Sequence, residues 1–223
     1  MLNMRSTDDR STTARIRDAA IECFAEDGVG STSIRMIAAR AGVSPALVIH
    51  HFGSKESLRV ACDEHVAAAI RDLKSDAMAA GPGFDPLTAF RRQREGPPIA
   101  KYLARTLVDG SPHVAALVDE MAADAAAYME VGVETGMITK SRFPRQRASI
   151  LTIWSLGALV LHEHLERLIG VDITTDLSID PKAAGNYVGP ATELASGFIT
   201  EATRELMESA FVDLPKDLEK EAT

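Results

Sequence analysis

Residues Thr32 to Lys55 read TSIRMIAARAGVSPALVIHHFGSK, and the rest of the chain is organised around them. Ile34, Ile37, Ala38 and Ala41 recur at the spacing of one helix face, with Thr32 ahead of them as a side-chain cap for the first free backbone N–H groups. Gly42 stops that helix. Val43 is placed to plug the gap to a second helix, Ser44 to cap it, and Pro45 suits its first turn, where no intrahelical N–H is needed. In that second helix Val48 and Phe52, four residues apart, point inward with Val43, while Pro45, Ala46, Ile49 and His50 face out. Two short helices joined by a tight turn predict a helix-turn-helix, whose second helix enters the DNA major groove.

The flanks extend this reading. Upstream, Ile16, Ala19, Ala20, Cys23 and Phe24 share one face of a helix that Gly28 and Gly30 end. Downstream, Ser54 caps a further helix opening with Lys55-Glu56-Ser57-Leu58. The ordered series Ala20, Phe24, Gly28, then Thr32-Ser33-Ile34-Arg35-Met36-Ile37-Ala38, Ala41-Gly42-Val43-Ser44 and His50-His51-Phe52-Gly53-Ser54-Lys55-Glu56 makes residues 12–58 resemble the DNA-binding domain of TetR-family (tetracycline-repressor-like) transcriptional regulators. That close resemblance covers about a fifth of the chain; elsewhere it extends only to helical layout.

A chain of 223 residues, 46% apolar, suffices for one large or two modest domains with a buried core. A net charge of −8 excludes a protein that coats nucleic acid or anionic membrane without specificity. The charge is also divided unevenly. Residues 1–60 hold eight Lys or Arg against seven Asp or Glu, and the remainder sixteen against twenty-five. An acidic body therefore carries a near-neutral head, in which Arg5, Arg10, Arg15, Arg17, Arg35, Arg40 and Lys55 stand ready for phosphates. Cys23 and Cys62, lacking any CxxC or Cys/His ligand spacing, read as core thiols in a reducing cytoplasm. No apolar signal core opens the chain, so residues 1–11 read as a flexible arm. The longest near-apolar run, Ile150 to Leu161, falls short of the roughly 20 residues that cross a bilayer, so no membrane partner is expected. It reads as a helix buried on most of its circumference.

Strand signals are almost absent, and the fold is expected to be all-α: an N-terminal three-helix helix-turn-helix domain at 12–58, a helical effector-binding and dimerisation domain at 59–213, and a charged tail at 214–223. Helices are expected at about 12–26, 33–41, 45–51, 55–79, 99–108, 113–134, 145–168 and 190–211, with a turn at 170–190. A linker zone at 81–98 holds four prolines and one short helical candidate at 87–93. In the last two long helices Ile153, Leu156, Gly157, Leu161, Leu194, Phe198, Ile199 and Leu206 form apolar stripes. Paired across a two-fold axis they would give the four-helix homodimer interface that the resemblance implies, or else complete a monomer core.

A symmetric dimer of such heads predicts a palindromic double-stranded DNA operator. Where the family usually has a Tyr after the apolar core residue of the recognition helix, this chain has Ile49, and one hydroxyl contact is missing. Ala46, Leu47 and Ile49 suit thymine methyl groups, which leaves Ser44 and His50 as the polar groups for base edges, beside Pro45. By resemblance, the Thr32 hydroxyl, His51 or His50, and Lys55 clamp the phosphate strand. Arg35 reaches a base or phosphate, or is simply a solvated charge; of the two histidines, His51 is the better candidate for a half-buried ring.

The resemblance further implies an effector pocket in the body, for which Tyr102, Leu103, Leu107, Leu117, Met121, Tyr128, Met129, Trp154 and His162 are the large, adaptable or half-polar candidates. Few buried charges are suggested, which favours a small, largely apolar effector. His162 and Glu166 share a helix face, but His164 lies on another, so no metal site is expected. Without a phosphate loop, nucleophile elbow or HExxH motif, neither an enzyme nor a cofactor is expected. The expected function is that of a cytoplasmic repressor released from its operator by an effector; the alternative is a helical small-molecule carrier without useful DNA binding.

Overall fold

The computed structural model describes residues 3–83, 96–109, 112–175 and 181–196. Among them there are nine α-helices and no strand. The head comprises α1 (Asn3–Ser31), α2 (Ile34–Ala41) and α3 (Pro45–Phe52). Each short helix is closed by the chemistry of its ends. Ser33 Oγ accepts from the Met36 N–H at the start of α2. At its end Gly42 takes the left-handed conformation (φ 66°), letting the Val43 N–H donate to Ala38 O at 2.9 Å and the Gly42 N–H to Ala39 O at 3.3 Å. Ser44 Oγ then accepts from the Leu47 N–H to open α3, and Ser54 Oγ from the Ser57 N–H to open the next helix.

Thr32 is therefore not the cap of α2. Gly28, with φ 79° and ψ 161°, breaks the regular course of α1 and folds the chain back, so that Thr32 is 1% exposed and its hydroxyl donates to Gly28 O at 2.8 Å and Cys23 O at 3.2 Å. Nor does α1 start at residue 12: its backbone is helical from Asn3, with no Gly or Pro before Gly28 to interrupt it. The body follows as α4 (Lys55–Ala80), a 3-10 turn (Gly81–Gly83), α5 (Ile99–Leu107), α6 (Pro112–Glu134), α7 (Pro144–Val160), α8 (His162–Ile169) and α9 (Pro181–Ser196). Packing runs α4 on α6, α6 on α7, and α5 on both α1 and α7.

One core spans head and body. Ile16, Ala20, Phe24, Ile37, Val48, Leu58, Cys62 and Val66 are buried together with Tyr102 and Leu103 of α5 and Leu117 of α6. Both cysteines are free and buried, and burial pushes their thiols above the ordinary range. A polar cluster lies within the junction: the Tyr102 hydroxyl donates to Asp63 at 2.6 Å, and Arg59 Nη1 to Asp109 at 2.8 Å. Burial raises the Asp63 carboxyl above its usual range, against the lowering effect of the Tyr102 hydrogen bond and of Arg59.

Three expectations for the body change. The helix expected at 145–168 is broken at Leu161 and bent by 75°, although no Gly or Pro stands at the break; beyond it the polar segment His162–Ile169 turns so that His162 Nδ1 lies 3.4 Å from Asp172. The run Ile150 to Leu161 is not mostly buried, because only one side of α7 meets α6 and α5. The turn expected at 170–190 ends at Pro181, where α9 begins and carries Pro190 in its interior. The candidate helix at 87–93, the end of the helix expected at 190–211, and the tail at 214–223 lie outside the described residues.

Tyr102→Phe removes a donor from a buried carboxylate and is expected to cost about 1–3 kcal/mol of stability near neutral pH. A raised folded-state pKa means that Asp63 opposes folding once it ionises, and losing the hydroxyl raises that pKa further. The deficit should therefore shrink as pH falls and Asp63 takes up its proton, a trend that paired urea titrations at neutral and acid pH measure.

Candidate functional site

The outward face of α3 is small and mostly apolar. Ser44, Pro45, Ala46, Ile49 and His50 are exposed, Leu47 is half-buried, and Val48 is turned fully into the core. A helix anchored through Val48, with Phe52 packed beside it on the same core, holds its outer face at a fixed angle to α2. Ser44 Oγ is used as an acceptor by the cap, which leaves its O–H free to donate. His50 stands in solvent with its ring edge-on to His51 at 5.6 Å, whereas His51 is half-buried with Nδ1 3.2 Å from Thr13 Oγ1.

The cations divide into bound and available. Arg40 is held by Glu26 at 2.6 Å and approached by Glu22 at 3.8 Å, which ties α2 to α1; Arg17 sits against Asp18 at 3.0 Å. Arg35, exposed in the first turn of α2, has no ion-pair partner among the described residues, and neither has the exposed Arg15. Lys55 is partly committed. Its Nζ donates to Val29 O at 2.9 Å and Thr32 O at 3.1 Å, so it staples the α1–α2 turn to the start of α4 and keeps one N–H for a further acceptor. The Thr32 hydroxyl points into the fold. Both residues suggested phosphate contacts by resemblance, and the only sequence signal for their structural use was Gly28, whose positive φ produces the turn that they secure.

In the body, a cavity of about 420 Å³ opens between α4, α6, α7 and the loop after α6. It is walled by Ile70, Lys74 and Met78 from α4, Met121 and Tyr128 from α6, and Leu156 from α7. Of the nine pocket candidates, it brings together Met121, Tyr128 and Met129. Tyr102, Leu103 and Leu117 belong to the shared core, Leu107 is half-buried on α5, Trp154 is 68% exposed, and His162 faces Asp172. Sequence reasoning missed Ile70, Lys74 and Met78, whose spacing of four along α4 was the available signal. A larger groove of about 740 Å³ runs between α6 and the start of α7, with small or charged walls such as Ala122, Ala126, Glu130, Lys140 and Arg145.

One further face stands open. Ile150, Ile153 and Trp154 on α7 are 49%, 55% and 68% exposed, Leu161 just past its end is 54% exposed, Gly157 is half-buried between them, and Leu194 on α9 is exposed as well. Leu156, placed with this set from the sequence, is turned inward instead and is 6% exposed. Phe198, Ile199 and Leu206 lie outside the described residues. No single described helix is long and apolar enough to cross a membrane.

The chain resembles known proteins throughout. The pattern of the bacterial regulatory proteins of the tetR family matches residues 16–62, and that of the tetracyclin repressor-like C-terminal domain matches residues 95–200. The HTH-type transcriptional regulatory protein RaaS of Mycobacterium tuberculosis is 43% identical over 162 residues, which cover 71% of this chain and 74% of that protein. An HTH-type transcriptional repressor of the same strain is 38% identical over 107 residues, 48% of this chain and 52% of that one. A TetR regulator from Streptomyces fradiae, tylp, superposes with a TM-score of 0.53 at 21% identity, over 93% of this chain and 99% of its own. Another from Chloroflexus aurantiacus gives 0.52 at 22%, over 85% and 96%.

Lys55→Met should destabilise the protein by roughly 1–3 kcal/mol, because two carbonyls lose a charged donor, and should lower the thermal midpoint by several degrees. An unchanged midpoint in calorimetry would show that the staple contributes nothing.

Proposed function

This chain belongs to the TetR family of bacterial regulatory proteins and is a DNA-binding transcriptional regulator, and from that premise we propose that it is a homodimeric cytoplasmic repressor which a small, largely apolar effector releases from a two-fold symmetric operator. The observation that carries the DNA-reading part is the outer face of α3, where Ala46, Leu47 and Ile49 present methyl groups beside the Ser44 hydroxyl and the His50 imidazole. Methyls of this kind discriminate by packing on the thymine C5-methyl, and the two polar groups by hydrogen bonds to base edges. Pro45 fixes the first turn that offers them.

Arg35, free of any partner among the described residues, is the phosphate contact nearest this face, helped by His50 or by His51 and by the remaining N–H of Lys55. Thr32 acts on DNA only through the turn that it stabilises. The exposed stripe Ile153, Trp154, Gly157 and Leu161, with Leu194 beside it, supports pairing of two copies about a two-fold axis. The cavity between α4, α6 and α7 is the effector site. Because α4 borders that cavity in its second half and is stapled to the α1–α2 turn at Lys55, any tilt of α4 that an effector favours is passed to the head.

Selection of bound sequences from a random duplex pool at two salt concentrations is expected to return a two-fold symmetric site. Arg35→Ala should weaken binding to every sequence about equally and reduce the salt slope by about 1, whereas Ile49→Ala should alter which bases are preferred. Equal effects of both changes on chosen and random DNA would reject this division of labour.

Replacing Ile153 and Trp154 together by Glu buries two charges in the proposed dimer face. Sedimentation should then find a monomer, with operator affinity lost at least tenfold while the helical content is retained. A dimer that survives both changes would place the interface elsewhere.

A further inference from the structure

The walls of the cavity between α4, α6 and α7 carry three formal charges, and one of them is unanswered. Arg71 is neutralised by Asp124 at 3.2 Å, with Glu120 at 3.8 Å. Lys74, almost one turn further along α4, has no ion-pair or hydrogen-bond partner among the described residues. Its neighbours on the cavity wall are Ile70 and Met78 on its own helix and Met121, Tyr128 and Leu156 opposite. Its side chain is in part open to solvent, so the ammonium stands at the mouth of the cavity rather than sealed inside it. A cation with no carboxylate partner, set beside apolar walls, favours an anionic occupant over a neutral or a cationic one. Asp124, the carboxylate on this wall, is already spoken for by Arg71, so a cationic occupant would find no acceptor of its own.

We propose that the effector of this cavity is an apolar molecule bearing a single anionic head, a hydrophobic monocarboxylate, with its carboxylate on Lys74 Nζ and its tail against Met78, Met121, Tyr128 and Leu156. The inference rests on the reading of this cavity as the effector site. A volume of about 420 Å³ fits one such molecule and lies within the range of small-molecule sites. The four methionines Met78, Met121, Met129 and Met137 give the walls side chains that adapt to a flexible chain.

Calorimetric titration of the full-length protein with decanoate, decanol and decylamine tests it, each against wild type, Lys74→Met, Lys74→Arg and Ser155→Trp. A charge-assisted contact predicts that decanoate binds wild type about 10-fold or more tighter than decanol, with decylamine weakest. Lys74→Met should abolish the advantage of decanoate over decanol while leaving decanol affinity within about twofold, and Lys74→Arg should restore most of it. Ser155→Trp, which introduces a large ring at the cavity wall, should block all three ligands. Equal binding of decanoate and decanol to wild type, blocked by Ser155→Trp, would overturn the role of Lys74 and leave the cavity as effector site. Binding that Ser155→Trp does not affect would overturn the cavity reading itself, and no binding of any of the three would overturn both.

Discussion

The 2.6 Å hydrogen bond from the Tyr102 hydroxyl to Asp63 lies where α1, α4 and α5 meet, and the arrangement of head and body depends on it. A carboxylate buried on α4 is tolerable only with compensation in reach: Tyr102 donates a hydrogen bond to it, and the Arg59 guanidinium lies 3.8 Å away as an ion-pair neighbour. The Tyr102 ring also packs toward Phe24 of α1, with ring centroids 6.4 Å apart, so the same side chain that satisfies α4 wedges α5 against the head. A head of one helix and two short ones buries little surface alone. Here it shares one apolar core with α4 and α5, and head and first body helices therefore move together.

The local grammar of the head was legible because each of its signals is chemical and short-range. Ser44, Pro45, Gly42 and Ser54 do in the structure what their hydroxyls, ring and missing side chain allow. Thr32 was misassigned for an instructive reason. Thr32 and Ser33 are adjacent hydroxyl residues before the same helix, and only the turn made by Gly28, a long-range consequence of how α1 ends, decides which one caps and which one is buried. Breaks without breakers were illegible as well. The bend at Leu161 carries neither Gly nor Pro, and Pro190 inside α9 stands where a sequence reading puts a boundary.

For the sites, periodicity located faces without saying what they face. Trp154 and Tyr128 are both aromatic residues at helical spacing in the body, yet one is exposed and the other borders a cavity. The distinction lies in which neighbouring helix is present, and no local pattern carries it. Lys74 escaped notice for a related reason: that a lysine on a long helix stands at the mouth of a cavity is known only once the helices around it are placed. The outer face of α3 was the easier case, since the inward residues Val48 and Phe52 fix the outward ones by geometry alone.

Gly132 shows how far such context reaches. A Cβ added there would lie 2.6 Å from both Met78 and Ile138, two residues that border the cavity, so the missing methyl is what lets them close in over the last turn of α6. The shape of the chamber is thus set partly by an atom that is not there, at a position outside its lining. A descendant carrying alanine at this position would hold an altered chamber behind an unchanged set of wall residues, and two proteins alike in every lining side chain could come to prefer different molecules.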